Sequence, residues 1–413
     1  MKMPITDYLA EILGYVEDDE SGAVADYIPV LAKANPDQLG IAITTVTGRT
    51  YTSGDAETEF TIQSMSKPFA YATALTDLGS ERVGKVVGIE PSGEAFNELS
   101  LEKDSKRPKN PMINAGALAV HQLLCGREGS WKARMERSVD FFSMLAGRKL
   151  SVNEEMLESE METAHRNLAL AHMLAAYDIL QHPPLEVVRG YTAQCAIMVN
   201  TKDIAMMAAV LAGGGINPVT GEQVVPRWVV RRVLAVMATS GMYDEAGEWF
   251  TEVGIPAKSG VSGGILGALP GQIGMAAFSP RLNEHGNSVR GIKLFRKLSA
   301  DMAFHLMDAE PFGSRSLRGV RDVDDATVVD LQGPINFMAA EIMLNRLVNE
   351  EIEKDKVVFD VSRVGIVNDV GRRMVLEGMR RLRLDGKQIF LRDPEEVFPD
   401  PDMGDGVYPT MVD

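Results

Sequence analysis

A chain of 413 residues with 45% hydrophobic and 24% charged side chains has the composition of an ordinary globular protein and excludes collagenous, disordered and membrane-embedded classes. At roughly 100–200 residues per domain, two or three domains are expected. Lys and Arg number 42 against 58 Asp and Glu, a net charge of −16. A surface of that sign repels phosphate backbones, so neither nucleic acid nor an anionic membrane is an expected partner.

No secretory leader is read at Met1-Lys2-Met3-Pro4-Ile5-Thr6-Asp7. An amphipathic helix opens the chain, and Leu39–Val46, a turn at Thr47-Gly48-Arg49 and Thr50–Ser53 read as a β-hairpin. Helical patterns dominate from about 64 to 240. The longest apolar run there, Ala205–Ile216, is broken by three glycines and falls short of the roughly 20 residues a membrane span needs. Cys125 and Cys195 read as small buried side chains in a reducing, cytoplasmic setting. Ile255–Pro280 suggests two strands around Leu269-Pro270-Gly271, and Gly291–Met307 has helical period. Strands at both ends with helices between them predict an α+β domain, one antiparallel sheet with a helical insert.

Asp308–Ser316 is rich in turn formers and reads as a linker. Beyond it, strands at 327–331, 357–361 and 388–391 alternate with helices at 338–353 and 369–384, which predicts a small α/β unit with parallel pairing. Residues 318–413 carry −7 of the net charge. The tail 393–413, with seven acids, four prolines and no Lys or Arg, is expected to be poorly ordered.

Ser64-Met65-Ser66-Lys67-Pro68 follows a strand-like Glu59–Ile62 and opens a helical run. With a helix starting at about Ser64, Pro68 sits in its first turn, and Ser64 and Lys67 share a face. A serine needs a base to become nucleophilic, and a lysine serves only if its pKa is lowered by desolvation or a neighbouring cation. For the bare motif alone, a capping serine beside a solvated lysine is the plainer reading. Ser66 is a competing candidate that faces elsewhere. Ala257-Lys258-Ser259-Gly260-Val261-Ser262-Gly263-Gly264 adds a Lys-Ser-Gly strand of the kind that lines serine acyl-transfer sites and offers backbone amides to an oxyanion. Its order is wrong for a phosphate-binding loop. The six histidines, 121, 165, 172, 182, 285 and 305, form no metal-binding motif.

With these residues in place, the chain from about 20 to 308 resembles the serine-dependent glutaminase family. The matching stretches are Asp26-Tyr27-Ile28-Pro29, Gln63–Pro68, Glu90-Pro91-Ser92-Gly93, Asn110–Ala117, Ser159-Glu160 with Arg166-Asn167, Tyr191 with Gln194-Cys195, Ser240–Asp244 and Ala257–Val261. The resemblance implies a β-lactamase/transpeptidase-like fold, an antiparallel sheet plus a helical subdomain, that hydrolyses L-glutamine to glutamate and ammonia without metal or cofactor. It implies Ser64 as nucleophile, Lys67 as base, Tyr243 as proton relay with Tyr27 nearby, and the main-chain amides of Ser64 and Val261 as oxyanion hole. Asn114, Glu160, Asn167 and Tyr191 are implied to hold the amino-acid end of the substrate, and a homodimer or homotetramer is implied as well. The residue types agree, since Glu160 can pair with an ammonium and the amides and phenol can donate to a carboxylate.

Asp360–Val364 and Asn368-Asp369-Val370-Gly371 resemble the STAS domain, with Val370 where phosphoregulated members carry a serine. A protein partner on the following arginine-rich helix and a merely solvated basic face both fit. The expected domains are therefore 1–310 catalytic, 318–392 STAS-like α/β, and the 393–413 tail. The competing readings are another SxxK acyl-transfer hydrolase, β-lactamase or D-Ala-D-Ala peptidase-like, and a non-enzymatic STAS-type regulator.

Overall fold

Alternation of side chains along the strands explains how the first unit is layered. The computed structural model describes residues 4–93, 98, 100–126, 129–307, 316–349 and 352–412, and the chain forms two units, Met1–Asp308 and Ala309–Asp413. The first opens with α1 (Pro4–Gly14), β1 (Gly40–Thr45), β2 (Thr50–Gly54) and β3 (Phe60–Thr61). A helical section follows: α2 (Ser66–Gly84), α3 (Asn114–His121), α4 (Trp131–Ala146), α5 (Glu154–Glu162), α6 (His165–Ala176) and α7 (Pro184–Cys195). Then come β4 (Met198–Val199), α8 (Thr201–Ala212), α9 (Arg227–Ser240), α10 (Ala246–Glu252), β5 (Ala257–Gly260), β6 (Gly264–Leu269), β7 (Ile273–Phe278) and α11 (Val289–Met302).

The main sheet has the order β2-β1-β7-β6-β5 and is antiparallel throughout, joining the two ends of the unit across the helical section. Ala42, Leu266, Ala268, Ala276 and Phe278 face α8 and the helical core. Their neighbours Ile41, Ile43, Ile265, Leu269, Met275 and Ala277 face α1 and α11 on the other side. A sheet covered on both faces buries every residue of β6 and β7, the expected result of a period of two between two apolar layers. The Ile255–Pro280 segment contributes three strands where the sequence suggested two, because Gly260–Gly264 makes a tight turn, Gly263 N donating to Gly260 O at 2.9 Å. α8 starts on a capping box, Asp203 N donating to Asn200 Oδ1 at 3.0 Å and Asn200 N to Asp203 Oδ2 at 2.8 Å.

The second unit runs β8 (Leu317–Val323), β9 (Ala326–Ile335), α12 (Phe337–Asn349), β10 (Lys356–Val367), α13 (Asp369–Leu384), β11 (Gln388–Arg392) and β12 (Thr410–Met411). Its sheet order is β12-β11-β10-β9-β8, with β9, β10, β11 and β12 parallel and β8 antiparallel at one edge. Each crossover moves one strand along in the same direction, which places α12 and α13 on one face. Val329, Leu331, Phe359, Val361 and Leu391 meet Ala340, Met343, Val375 and Met379 there. Asn368 caps α13, its side chain accepting from Gly371 N at 2.7 Å.

The tail departs from expectation. Asp393 accepts from Val397 N at 3.0 Å and Phe398 N at 2.8 Å, Phe398 and Met403 enter the core, and β12 pairs with β11. Two apolar anchors outweigh an acidic composition that by itself reads as disorder. The expected linker, apart from Ser316, and residues 350 and 351 of the expected 338–353 helix lie outside the described residues, while 352 and 353 are not helical.

Candidate active site

Ser64 stands on a tight turn wedged between two pieces of sheet. β3 pairs with β4, Phe60 opposite Val199, and Ile62 N donates to Ile197 O at 2.8 Å. The chain then makes a 3₁₀ turn over Gln63–Met65 before entering α2. Gln63 has φ +50°, a left-handed conformation that non-glycine residues rarely adopt and that clusters at functional sites. The helix therefore begins two residues later than the sequence suggested, with Pro68 still in its first turn.

Lys67 lies in the first turn of α2 and is 1% exposed. Its Nζ donates to Met112 O at 3.1 Å and Asn114 Oδ1 at 2.7 Å. Burial penalises the charged form and brings its pKa down to about 8. The acceptors come from the first residue of α3 and from the turn before it, where Met112 N donates to Asn110 Oδ1 at 3.0 Å and Asn110 Nδ2 to Glu90 O at 2.9 Å. Gly116 makes this possible: a Cβ there would fall 1.8 Å from Asn110 O.

β5 passes directly against the Ser64 turn. A Cβ on Gly260 would approach Ile62 O to 3.1 Å, so the Lys-Ser-Gly run owes its glycine to a close crossing of backbones. Lys258 is fully buried, donates to Ser259 O at 2.8 Å and places Nζ 3.9 Å from the centre of the Tyr243 ring. Burial, reinforced by Lys67, holds its pKa well below the ordinary lysine value. Tyr243 lies within interaction range of Ser64 and donates to Ser259 O at 3.3 Å; burial raises its pKa to about 12. Its own backbone sits at φ +55°.

A cavity of about 460 Å³ opens above Ser64, lined by Tyr27, Gln63, Asn114, Glu160, Asn167, Tyr191, Cys195 and Val261 together with the 283–286 loop. It gathers every expected substrate-binding residue except Tyr243, which, like Lys67, lies beside this space rather than in its lining. Tyr27 is at the rim, 57% exposed, within electrostatic reach of Tyr243 and Glu160. Glu160 accepts from Gln63 Nε2 at 2.6 Å, and burial pushes its pKa up to about 7. Asn114 Nδ2 donates to Asn167 Oδ1 at 3.1 Å. Tyr191 is buried beside Cys195, its pKa raised well above the ordinary phenol value by burial.

Three participants had no assigned role in the sequence. Gln63 orients Glu160, Lys258 braces Tyr243 and Ser259, and Cys195 lines the cavity; all three stand inside quoted motifs, and only packing reveals their directions. Ser66, the competing serine, accepts from Gln194 Nε2 at 2.9 Å in the interior and does not line the cavity. Cys125 corrects the expectation of two buried thiols, since it is exposed on a turn after α3. Among the described residues no group of three or more His, Cys, Asp or Glu could hold a metal ion, and no helix is long and apolar enough to cross a membrane.

The profile of the Glutaminase family matches residues 22–307. The glutaminase of Corynebacterium efficiens is 51% identical over 413 residues, covering all of this chain and 98% of its own. The chain belongs to the glutaminase family. It is an enzyme that hydrolyses glutamine. A crystal structure of Mglu in its Tris and glutamate form superposes with a TM-score of 0.90 at 48% identity, over 97% of this chain and 100% of that one. The probable glutaminase of Bacillus subtilis complexed with 6-diazo-5-oxo-L-norleucine matches at a TM-score of 0.68 and 34% identity, over 74% and 98% of the two chains. The antiparallel sheet with its helical insert fits a β-lactamase-like catalytic unit.

The close approach at Gly116 is directly testable. Gly116→Ala must displace Asn110–Met112 and with it the Met112 carbonyl that accepts from Lys67. Glutaminase kcat/KM is expected to fall at least tenfold with a lowered melting temperature; wild-type activity in this variant would contradict the assigned contact.

Proposed function

We propose that glutamine is hydrolysed through a γ-glutamyl ester on Ser64. Neutral Lys67 takes the Ser64 proton as Oγ attacks the side-chain amide carbon. The main-chain amides of Ser64 and Val261 hold the tetrahedral oxyanion. Collapse breaks the C–N bond, the Tyr243 hydroxyl hands a proton to the departing nitrogen, and the proton on Lys67 restores the hydroxyl. Water then attacks the ester, Lys67 takes its proton and returns it to Ser64 Oγ, and glutamate leaves. Glu160 pairs with the substrate ammonium, while Asn114, Asn167 and Tyr191 donate to its carboxylate. Tyr27 closes the rim near Tyr243.

The observation that carries this reading is the desolvation of Lys67 beside Ser64 and Tyr243. A lysine whose pKa has come down to about 8 is partly neutral near physiological pH, which a base must be. Residues 1–310 form the catalytic domain on this reading, and 318–392 a STAS-like module whose exposed Val348 and Val370, beside Arg373, suit a protein partner. A cytoplasmic homodimer or homotetramer completes the proposal.

Incubation with 6-diazo-5-oxo-L-norleucine followed by intact-mass and peptide analysis should give a one-to-one adduct on the Ser64 peptide. Ser64→Ala should abolish both adduct and turnover, by more than about a thousandfold, with an unchanged circular dichroism spectrum. An adduct elsewhere, or residual turnover above that level, would mean another nucleophile.

Glu160 gives a pH signature. Its carboxyl is charged above about 7, and only the charged form pairs with an ammonium. KM for glutamine should therefore rise as pH falls below about 7, toward tenfold per unit. A KM constant from pH 5.5 to 8 would remove Glu160 from ammonium recognition.

A further inference from the structure

The turn Tyr243–Glu245 that presents the Tyr243 phenol is bound by its third residue to the loop at the cavity rim. The Glu245 carboxylate accepts from Asn283 Nδ2 at 3.1 and 2.9 Å, one bond to each oxygen. The oxygen with the shorter of these bonds also accepts from Asn287 Nδ2. Asn287 is fully buried, donates as well to Met242 O at 3.4 Å, and through Oδ1 accepts from Ser259 Oγ. Ser259 is the residue whose carbonyl takes the Tyr243 hydroxyl at 3.3 Å and Lys258 Nζ at 2.8 Å.

These bonds close a ring. It runs from the Tyr243 phenol to the Ser259 backbone, through the Ser259 hydroxyl and the Asn287 amide to Glu245, and back along two residues of chain to Tyr243. A bulky residue at φ +55° persists only where its surroundings determine the conformation. Here the phenol end and the backbone end of one residue are fixed by the same network. Asn283, with Glu284, His285 and Gly286, also lines the cavity above Ser64. His285 Nδ1 shares a hydrogen bond with Asp244 at 3.0 Å, so the rim loop is tied to the Tyr243 turn at two successive residues.

We infer that Glu245 is a positioning residue for glutamine hydrolysis: through Asn283 and Asn287 it holds the Tyr243 hydroxyl where the leaving nitrogen needs a proton. The inference rests on the proposed relay role of Tyr243. Glu245 touches no reacting atom and does not line the cavity, so its removal acts on turnover and not on substrate recognition. The Glu245 carboxylate accepts three hydrogen bonds from amide donors. Glu245→Gln retains one acceptor oxygen for them, whereas Glu245→Ala leaves the buried Asn287 donor without its carboxylate.

The test compares glutamine with the γ-methyl thioester of glutamate. Its methanethiolate leaves without needing a proton, whereas ammonia cannot leave as an amide anion. With full-length Glu245→Ala, kcat for glutamine should fall at least tenfold and KM stay within twofold. Thioester kcat/KM should remain within threefold of wild type, and Glu245→Gln should stay within threefold on both substrates. Wild-type kcat of Glu245→Ala on glutamine, or equal losses on both substrates, overturns the inference. Should Glu245→Ala not fold, Asn287→Ala, which breaks the same ring at a residue outside the cavity lining, carries the same comparison with the same expected split. Tyr243→Phe separates the two levels. If it keeps wild-type glutamine turnover, the relay itself fails and this inference with it; if it loses turnover while Glu245→Ala does not, only the positioning role fails.

Discussion

The constraint on which the site depends is the burial of a lysine. A cationic side chain in dry protein is unfavourable unless it is paired or loses its proton, and Lys67 donates to a main-chain carbonyl and an amide oxygen, both neutral. A folded pKa of about 8 against 10.5 in the unfolded chain means that the native state binds fewer protons between those values. Stability therefore rises with pH through that window and is lower, by about 3 kcal/mol from this group, below it. The burden is carried by α2, whose residues from Ser66 to Leu75 are all buried in the main core. The fold supplies the dry environment, and the dry environment favours the neutral amine.

Around that lysine the polypeptide accepts two unfavourable backbone conformations, at Gln63 just before Ser64 and at Tyr243. Each is fixed by partners from a distant part of the chain: Glu160 on α5 for Gln63, and Ser259 and Lys258 on β5 for Tyr243. The antiparallel sheet brings these together. Because β1 and β7 pair in register from Gly40↔Phe278 to Thr45↔Ile273, the late Lys-Ser-Gly strand lies within one sheet of the early hairpin, and the helical insert closes over the gap. Two strained residues held by long-range contacts are what a preorganised site requires, since neither conformation is favoured by the local sequence.

Most of the architecture could be read because it is written in period. Hairpin β1–β2, the late strands, and the alternating β–α pattern of the second unit follow from alternation and turn residues that local physics obeys. The tail was misread because composition averages over the two residues, Phe398 and Met403, that anchor it. The catalytic motifs were legible as residue types, Ser64 with Lys67, and Lys258-Ser259-Gly260. What was not legible was direction. Nothing local says that Gln63 turns its amide to Glu160, that Lys258 lies over a tyrosine ring, that Cys125 is exposed, or that Glu245 reaches two asparagines about 40 residues on. Those facts are set by long-range packing, which a single sequence does not display.

Whether a desolvated Lys67 acts as base on Ser64 is decided by the pH dependence of kcat at saturating glutamine between pH 6 and 10. A base of this kind gives an ascending limb with an apparent pKa near 8, the value to which burial brings Lys67. A kcat independent of pH across this range, or one that rises only near the ordinary lysine value, would contradict it.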